Sequence, residues 1–327
     1  MDILMESKRE QILHWANQGL IDKQKIFQVL TDLHIIPNKH SWSLFIGQLL
    51  LWLGGLALSL SMMFFIAYNW DDLGKFSKFA LVESMIISCL VFYWKFSTNK
   101  IASQLSLMFS SISLGVLLAL FGQTYQTGAD TWQLFAYWAL LITPWVFVAR
   151  FPAIVVLWIF LINISMLLYF HTMGRFFTLF FSSDENLLWT AFIFNSLIWF
   201  FWELSCKSIN WLNERWAIRL ISTAAGMPVT ALLVVSIIDS INHNELAIIS
   251  YLTLIMISYI VYRKKVKDLF MLAGMSLSLI IVLTFFFAKI LFDKGSELSG
   301  FLIMTILIIG MASSAAIWLR NIYREQQ

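Results

Sequence analysis

Ten long apolar runs dominate the sequence, and all but the second are long enough by themselves to cross a lipid bilayer as a helix. A helical span needs about 20 mostly apolar residues to cross a hydrocarbon layer of ~30 Å. Only 13% of the residues are charged, whereas a soluble domain carries about 25%. The runs lack the alternation of polar and apolar residues that marks barrel strands. We therefore predict an all-α integral membrane protein built as a bundle of about ten transmembrane helices.

The predicted spans are residues 46–68, 79–94, 105–121, 132–149, 152–170, 187–204, 217–238, 246–262, 269–288 and 299–319. The second span is short, and Lys78 and Lys95 bracket it. Both lysines are therefore expected to snorkel toward the membrane surfaces. Pairs of small residues four apart, Gly115 with Ala119 and Gly310 with Ser314, predict close helix packing.

Residues 1–44 precede the first span and have a mixed polar character. Ile12, Ala16 and Leu20 recur at helical spacing, and Asp22 is a suitable cap for a second helix. This pattern predicts a small cytoplasmic amphipathic helical hairpin. A segment of this size cannot bury enough surface to be stable alone, so its apolar face is expected to dock on the bundle, on the membrane or on a cytoplasmic protein partner.

Basic residues indicate the orientation of the bundle. Seventeen of the 22 Lys and Arg residues fall on the side that holds the N-terminus, and five fall on the other side. Loops rich in Lys and Arg stay in the cytoplasm. Both termini are therefore expected to be cytoplasmic, with membrane lipids as the surroundings of the chain.

Two polar stretches interrupt the apolar pattern on the opposite, outward side. The first, AYNWDD, follows the first span, and the second, FGQTYQTGAD, follows the third span. Gly122 and Gly128 would permit a folded-back path for the second stretch. Glu83 lies about one turn inside the second span on the same side, and ionisable residues within a span usually face the bundle interior. The candidate outward-facing polar pocket consists of Asn69, Asp71, Asp72, Glu83, Gln123, Tyr125, Gln126 and Asp130.

Structural roles for the same residues remain open. Glu83 could pair with Lys75 or Lys78 and merely fix the loop. Asp71 and Asp72 could cap the next helix instead of binding a ligand.

Other constellations predict no chemistry. The five histidines lack metal-ligand spacing, so no metal site is expected. No cofactor motif is present, and nothing points to nucleic acid. The two cysteines, Cys89 and Cys206, are expected to be inert free thiols. Asn163 and Asn195, each within a span, are expected to bond between helices.

The two polar stretches, read as AYNWDDLGKFSK and FGQTYQTGADTWQLFAYWALLITPW, resemble those of the uncharacterised bacterial membrane proteins grouped as domain of unknown function 2157. The turn QGLID before the first span is similar as well. The resemblance covers roughly residues 5–150 and implies a multi-pass protein of the bacterial inner membrane. Together with the residue pattern, the resemblance predicts three parts. These are the hairpin of residues 1–44, a family-like membrane core of residues 45–150, and the C-terminal transmembrane helices of residues 151–327.

Three functions are compatible with these features. The first is a transporter-like or receptor-like bundle that binds a small polar solute or a polar headgroup in the outward-facing pocket. The second is a membrane enzyme that acts on a lipid-linked substrate through the loop carboxylates. The third is a membrane scaffold or regulator that recruits a partner through residues 1–44.

Overall fold

The computed structural model describes residues 12, 15, 16, 18, 20, 22, 26, 30, 39–173, 183–206, 208–238, 245–292 and 297–326. Most of the predicted hairpin of residues 1–44 lies outside the described residues. Within the described ranges the chain forms ten α-helices and no strand. The helices are α1 (Lys39–Tyr68), α2 (Lys75–Lys95), α3 (Lys100–Tyr125), α4 (Thr131–Ala149), α5 (Pro152–Met173), α6 (Ser183–Ser205), α7 (Arg215–Ile238), α8 (Glu245–Ile260), α9 (Leu269–Phe292) and α10 (Glu297–Gln326).

Two short elements complete these ranges. A 3-10 turn, Asn210–Leu212, precedes α7, and a π-helical segment, Val261–Lys265, extends α8. Ten helices of the described chain are long and apolar enough to cross a membrane. The predicted all-α bundle of about ten transmembrane helices is therefore confirmed.

The second helix is longer than the sequence predicted. It contains 21 residues, Lys75–Lys95, and at 1.5 Å per residue it is roughly 31 Å long. A helix of this length crosses a ~30 Å hydrocarbon layer only when the lysines at its two ends are counted, so the expected snorkelling of Lys95 stays a prediction. Lys78, expected to reach out toward the membrane surface, instead lies in the first turns of α2 and is only 6% exposed.

Contacts divide the chain into two compact units. Met1–Ala57 and Ser313–Gln327 form one unit, and Leu58–Ala312 forms the other. The candidate site lies entirely in the unit Leu58–Ala312, to which the following description is confined.

Close packing of α3 on α4 depends on one glycine. A Cβ atom added to Gly115 would lie 2.4 Å from the ring of Trp138, and the Trp138 indole Nε1 donates to the Ser111 carbonyl at 2.8 Å. The predicted close packing at Gly115 is thus confirmed. At Gly310 it is not observed, since no described atom lies within 4 Å of an added Cβ.

A reciprocal amide pair joins α5 to α6. The Nδ2 of Asn163 donates to the Oδ1 of Asn195 at 3.0 Å, and the Nδ2 of Asn195 donates back at 2.7 Å. Each amide also donates to the carbonyl one turn earlier, at Ile159 and Ala191 respectively. All four amide N–H groups are therefore satisfied, which confirms that these residues bond between helices.

Candidate functional site

The ends of three helices meet around one apolar cluster. Ile66 of α1, Val82 of α2 and Leu120 of α3 are buried against one another, and Trp70 of the α1–α2 loop packs on them. The end of α1, the start of α2 and the end of α3 therefore share one end of the bundle. We call this the polar end, because residues 69–74 and residues 126–130 both lie there.

The first polar stretch forms a tight continuation of α1. The side-chain Nδ2 of Asn69 donates to the Phe65 carbonyl at 2.8 Å, and the Asn69 carbonyl accepts from the backbone N–H of Leu73 at 3.0 Å. Asn69 thus stabilises the turn between the helices. Asp71 and Asp72 are exposed, and neither forms an ion pair within the described ranges.

The second polar stretch is more helical than predicted. Helix α3 runs to Tyr125, so Gln123 and Tyr125 lie on its last turn and not in a loop. Gln126 ends the helix in the left-handed conformation, with φ 45°. Gly128 has φ 65°, as expected, but the expectation for Gly122 is wrong because that residue lies inside α3.

Most side chains of this stretch are exposed. Gln123, Gln126 and the intervening Tyr125 are exposed, and Asp130 is half-buried immediately before α4. The ring of Tyr125 contacts that of Phe79 of α2, with the centroids 5.9 Å apart. The two stretches are therefore neighbours, but residues 126–129 do not fold back into the bundle.

Glu83 has a different setting from the one predicted. It lies eight residues after the start of α2, which places it roughly 12 Å along the helix axis. Its side chain is exposed, while the preceding Val82 is fully buried. Glu83 therefore does not face the bundle interior, and it forms no ion pair with Lys75 or Lys78.

A cavity of about 350 Å³ lies between α4 and α5. This volume falls within the range of roughly 300–1,000 Å³ that is typical of ligand pockets. Its lining residues are Trp132, Ala136, Ala139, Leu140, Thr143, Trp158, Ile162, Ser165, Met166 and Tyr169. None of the eight candidate pocket residues is among them, although Asp130 precedes Trp132 by only two positions.

The cavity is an open groove that begins at the polar end and runs along α4 and α5, and its lining residue Leu140 is 64% exposed. Trp132 and Tyr169 lie near that end, with ring centroids 5.1 Å apart. Thr143 lies eleven residues further along α4, which corresponds to roughly 16 Å. The cavity wall therefore covers about half of a ~30 Å hydrocarbon layer.

Nearly every polar group that lines the cavity is satisfied by the protein. Thr143 Oγ1 donates to the Ala139 carbonyl at 2.9 Å and accepts from the Trp158 indole at 3.1 Å. Ser165 Oγ donates to the Trp132 carbonyl at 3.0 Å. The indole Nε1 of Trp132 is buried without a partner. The wall is therefore apolar in effect, with one free donor close to the polar end.

A second polar cluster lies where α6 ends and α7 begins. Arg215 approaches Glu203 at 3.4 Å, and the hydroxyl of the buried Tyr262 donates to the other oxygen of that carboxylate at 3.4 Å. The Tyr262 hydroxyl in turn accepts from the Trp199 indole at 2.9 Å. This cluster was not predicted from the sequence, because its members come from three separate helical segments.

The start of α9 is held by a bidentate ion pair. Both carboxylate oxygens of Asp268 accept from the Arg219 guanidinium at 3.2 Å, and Asp268 also accepts from the backbone N–H of Phe270 at 3.1 Å. An Asp immediately before an apolar run is a recognisable helix cap. Its arginine partner, 49 positions earlier, is not visible from the sequence.

The first half of the chain can be compared with known families once this geometry is in view. Residues 13–155 match the family model described as predicted membrane protein (DUF2157). The resemblance to DUF2157 is confirmed over these residues. The DUF2157 region contains α1 to α4 and both polar stretches, and it ends a few residues into α5. Neither a curated protein nor a solved structure matches the chain.

The DUF2157 description names a membrane protein and no activity. Within the described ranges, no group of three His, Cys, Asp or Glu side chains could hold a metal ion. Both Cys89 and Cys206 are free thiols. The exposed side chains around the polar end carry amide, hydroxyl and carboxylate groups.

Proposed function

We propose that this protein is a receptor-like or transporter-like bundle that binds an amphiphile. The polar headgroup lies at the polar end, among the candidate pocket residues, and the apolar part lies in the cavity between α4 and α5. The observation that carries this proposal is the cavity itself. It starts two residues after Asp130 and continues as an apolar wall over roughly half of the membrane thickness.

The polarity of the cavity favours a headgroup with an attached chain over a small polar solute. A polar solute would lose its hydration in the cavity and gain few hydrogen bonds, because the lining hydroxyls already bond within the protein. An apolar chain incurs no such cost. The free N–H of Trp132 offers one hydrogen bond where the chain would join its headgroup.

Side chains at the polar end supply the remaining contacts in this proposal. Gln123, Tyr125 and Gln126 offer amide and hydroxyl groups, and Asp71, Asp72 and Asp130 offer carboxylates. All of these except the half-buried Asp130 are exposed, which leaves them available to a headgroup that extends from the bilayer. Glu83 is exposed on α2 roughly 12 Å from the start of the helix, so in this proposal its side chain reaches toward the polar end to contact the headgroup.

The proposal includes an orientation. The excess of Lys and Arg on the side of the termini supports cytoplasmic termini and an outward polar end in a bacterial inner membrane. The headgroup would then come from the outer leaflet. Cysteine-scanning at Gln126 with a membrane-impermeant thiol reagent tests this orientation in intact cells, and labelling only after lysis would contradict it.

Native mass spectrometry of the purified protein tests the binding itself. Protein extracted in mild detergent is expected to retain a co-purifying amphiphile. Replacing Ala136, which lines the cavity, by Phe fills part of the space and should abolish retention. Leu141→Phe is the matched control, because Leu141 lies on the same helix, is 48% exposed and does not line the cavity.

The polar end is tested in the same assay. Changing both Gln123 and Glu83 to Ala should alter which headgroups are retained without abolishing retention of the chain. Equal retention of the same species by wild type, Ala136→Phe and the double variant would refute the proposal.

A further inference from the structure

Lys78 is a largely buried lysine whose ammonium has no acceptor among the described side chains. The residue is only 6% exposed, and lysine is almost never buried to this extent unless it is paired. Within the described ranges its ammonium forms no ion pair and no side-chain hydrogen bond. The ammonium lies over the ring of Trp70, whose centroid is 3.6 Å from Nζ.

The contact with Trp70 leaves most of the ammonium unsatisfied. A cation over an aromatic face is attracted by the ring quadrupole. The ring has no lone pair, however, that could accept an ordinary hydrogen bond from the ammonium. An ammonium carries three N–H donors. At least two of these donors therefore point away from the ring of Trp70 and have no protein acceptor.

A second unsatisfied donor lies in the same layer of the bundle. The hydroxyl of Thr124 on α3 is buried and has no partner. Val82 and Leu120 meet in the apolar cluster, and α2 and α3 are antiparallel neighbours. One helical turn toward the polar end leads from Val82 to Lys78 and from Leu120 to Thr124.

Ring contacts support this register. Phe79, which follows Lys78, packs against Tyr125, which follows Thr124, with centroids 5.9 Å apart. The ammonium and the hydroxyl therefore lie at the same level, immediately beyond the apolar cluster on which Trp70 packs. Both are hydrogen-bond donors, and the described protein supplies an acceptor to neither.

We propose that Lys78 and Thr124 form a binding site for an oxyanion at the polar end, with Trp70 as its floor. The ligand is a phosphate or a chemically equivalent oxyanion, because several oxygens around one centre can accept from the ammonium and the hydroxyl together. The neighbouring carboxylates of Asp71 and Asp72 are exposed, so that solvent and salt screen their repulsion. The site is independent of the cavity between α4 and α5.

Two sources can supply the oxyanion, free phosphate or the phosphate of a lipid headgroup. Binding of radiolabelled inorganic phosphate to the detergent-purified protein measures the first source. Retention of phosphatidic acid in phosphatidylcholine nanodiscs measures the second. Binding in either assay supports the site if it depends on Lys78, and the assay that responds identifies the source.

Lys78→Met keeps the length of the side chain and removes the charge. It should weaken binding at least about tenfold, since a hydrogen bond to a charged group contributes roughly 1.5–3 kcal/mol. Thr124→Val is close in shape and should weaken binding several-fold. Lys75→Met is the matched control, because Lys75 is an exposed lysine on the same helix and should bind as wild type does.

The outcomes separate this site from the cavity. If Lys78→Met fails to fold, Thr124→Val decides the question. The inference is overturned if wild type binds neither probe, or if the Lys78 and Lys75 variants bind equally well. In either case, the cavity is still tested separately by comparing amphiphile retention between the Ala136→Phe variant and its control, Leu141→Phe.

Discussion

The packing of α3 on α4 positions both the second polar stretch and one wall of the cavity, and Gly115 is the residue on which it depends. In Gly115→Ala the new methyl carbon would lie 2.4 Å from ring atoms of Trp138. Ordinary carbon contacts are about 3.5–4.0 Å, so the ring must move by more than ~1 Å. The hydrogen bond from the Trp138 indole to the Ser111 carbonyl holds the ring in place.

Two opposing effects determine how much Gly115→Ala changes the free energy of unfolding. Overpacking costs about 1–3 kcal/mol, and replacing Gly by Ala inside a helix gains up to about 1 kcal/mol. We expect a net loss of roughly 1–2 kcal/mol. Gly122→Ala on the same helix is the matched control, because no described atom lies within 4 Å of its added Cβ. It should be neutral or slightly stabilising.

Reversible unfolding in mixed micelles with increasing SDS measures both variants. A double-mutant cycle with Trp138→Phe adds a direct test, because a smaller ring should relieve the clash and make Gly115→Ala less costly. Equal stability of the Gly115→Ala and Gly122→Ala variants would refute the packing described for α3 and α4. The same packing would be refuted if the effects of Gly115→Ala and Trp138→Phe on stability were additive.

Three further predictions concern the rest of the chain. Asp268→Ala should destabilise the protein by about 1–3 kcal/mol in the same assay, and Asp268→Asn by less because it retains the helix cap. Asn163→Leu should lower the free energy of unfolding by about 1–2 kcal/mol, because it leaves the Asn195 amide unpaired. Changing both residues to Leu should lower it by little more than the single substitution does. Cys206 lies beyond the end of α6, and burial together with the nearby Glu203 raises the pKa of its thiol. In a Cys89→Ser background its alkylation rate should therefore keep rising above the pH at which a free cysteine levels off, and an early plateau would contradict this.

The transmembrane helices were predictable from the sequence because hydropathy alone determines which segments can enter a bilayer. Each of the ten predicted spans corresponds to a helix, and most boundaries differ by only a few residues. The largest error at the site concerns α3. Gly122 and the amides after it suggested a loop, but Gln and Tyr are tolerated in a helix, which continues until Gln126 takes the left-handed conformation.

The contents of the site were less predictable. The cavity exists because small residues such as Ala136 and Ala139 lie opposite large rings of α5, and this pairing depends on how two helices are rotated against each other. Burial of Lys78 required the ring of Trp70 to fold over it, eight positions away. Residue types predicted where polar groups lie along the membrane normal, but not which of them face one another.

The most direct test of the proposed function is a cryo-EM structure of the protein in lipid nanodiscs, at a resolution that shows ordered lipids around the bundle. We expect elongated density along the cavity between α4 and α5, with its broader end beside Trp132 and Asp130. Ordered lipids on the outer surface serve as the internal control for visibility. An empty or water-filled cavity, with such lipids clearly resolved elsewhere, would contradict the binding of an amphiphile at this site.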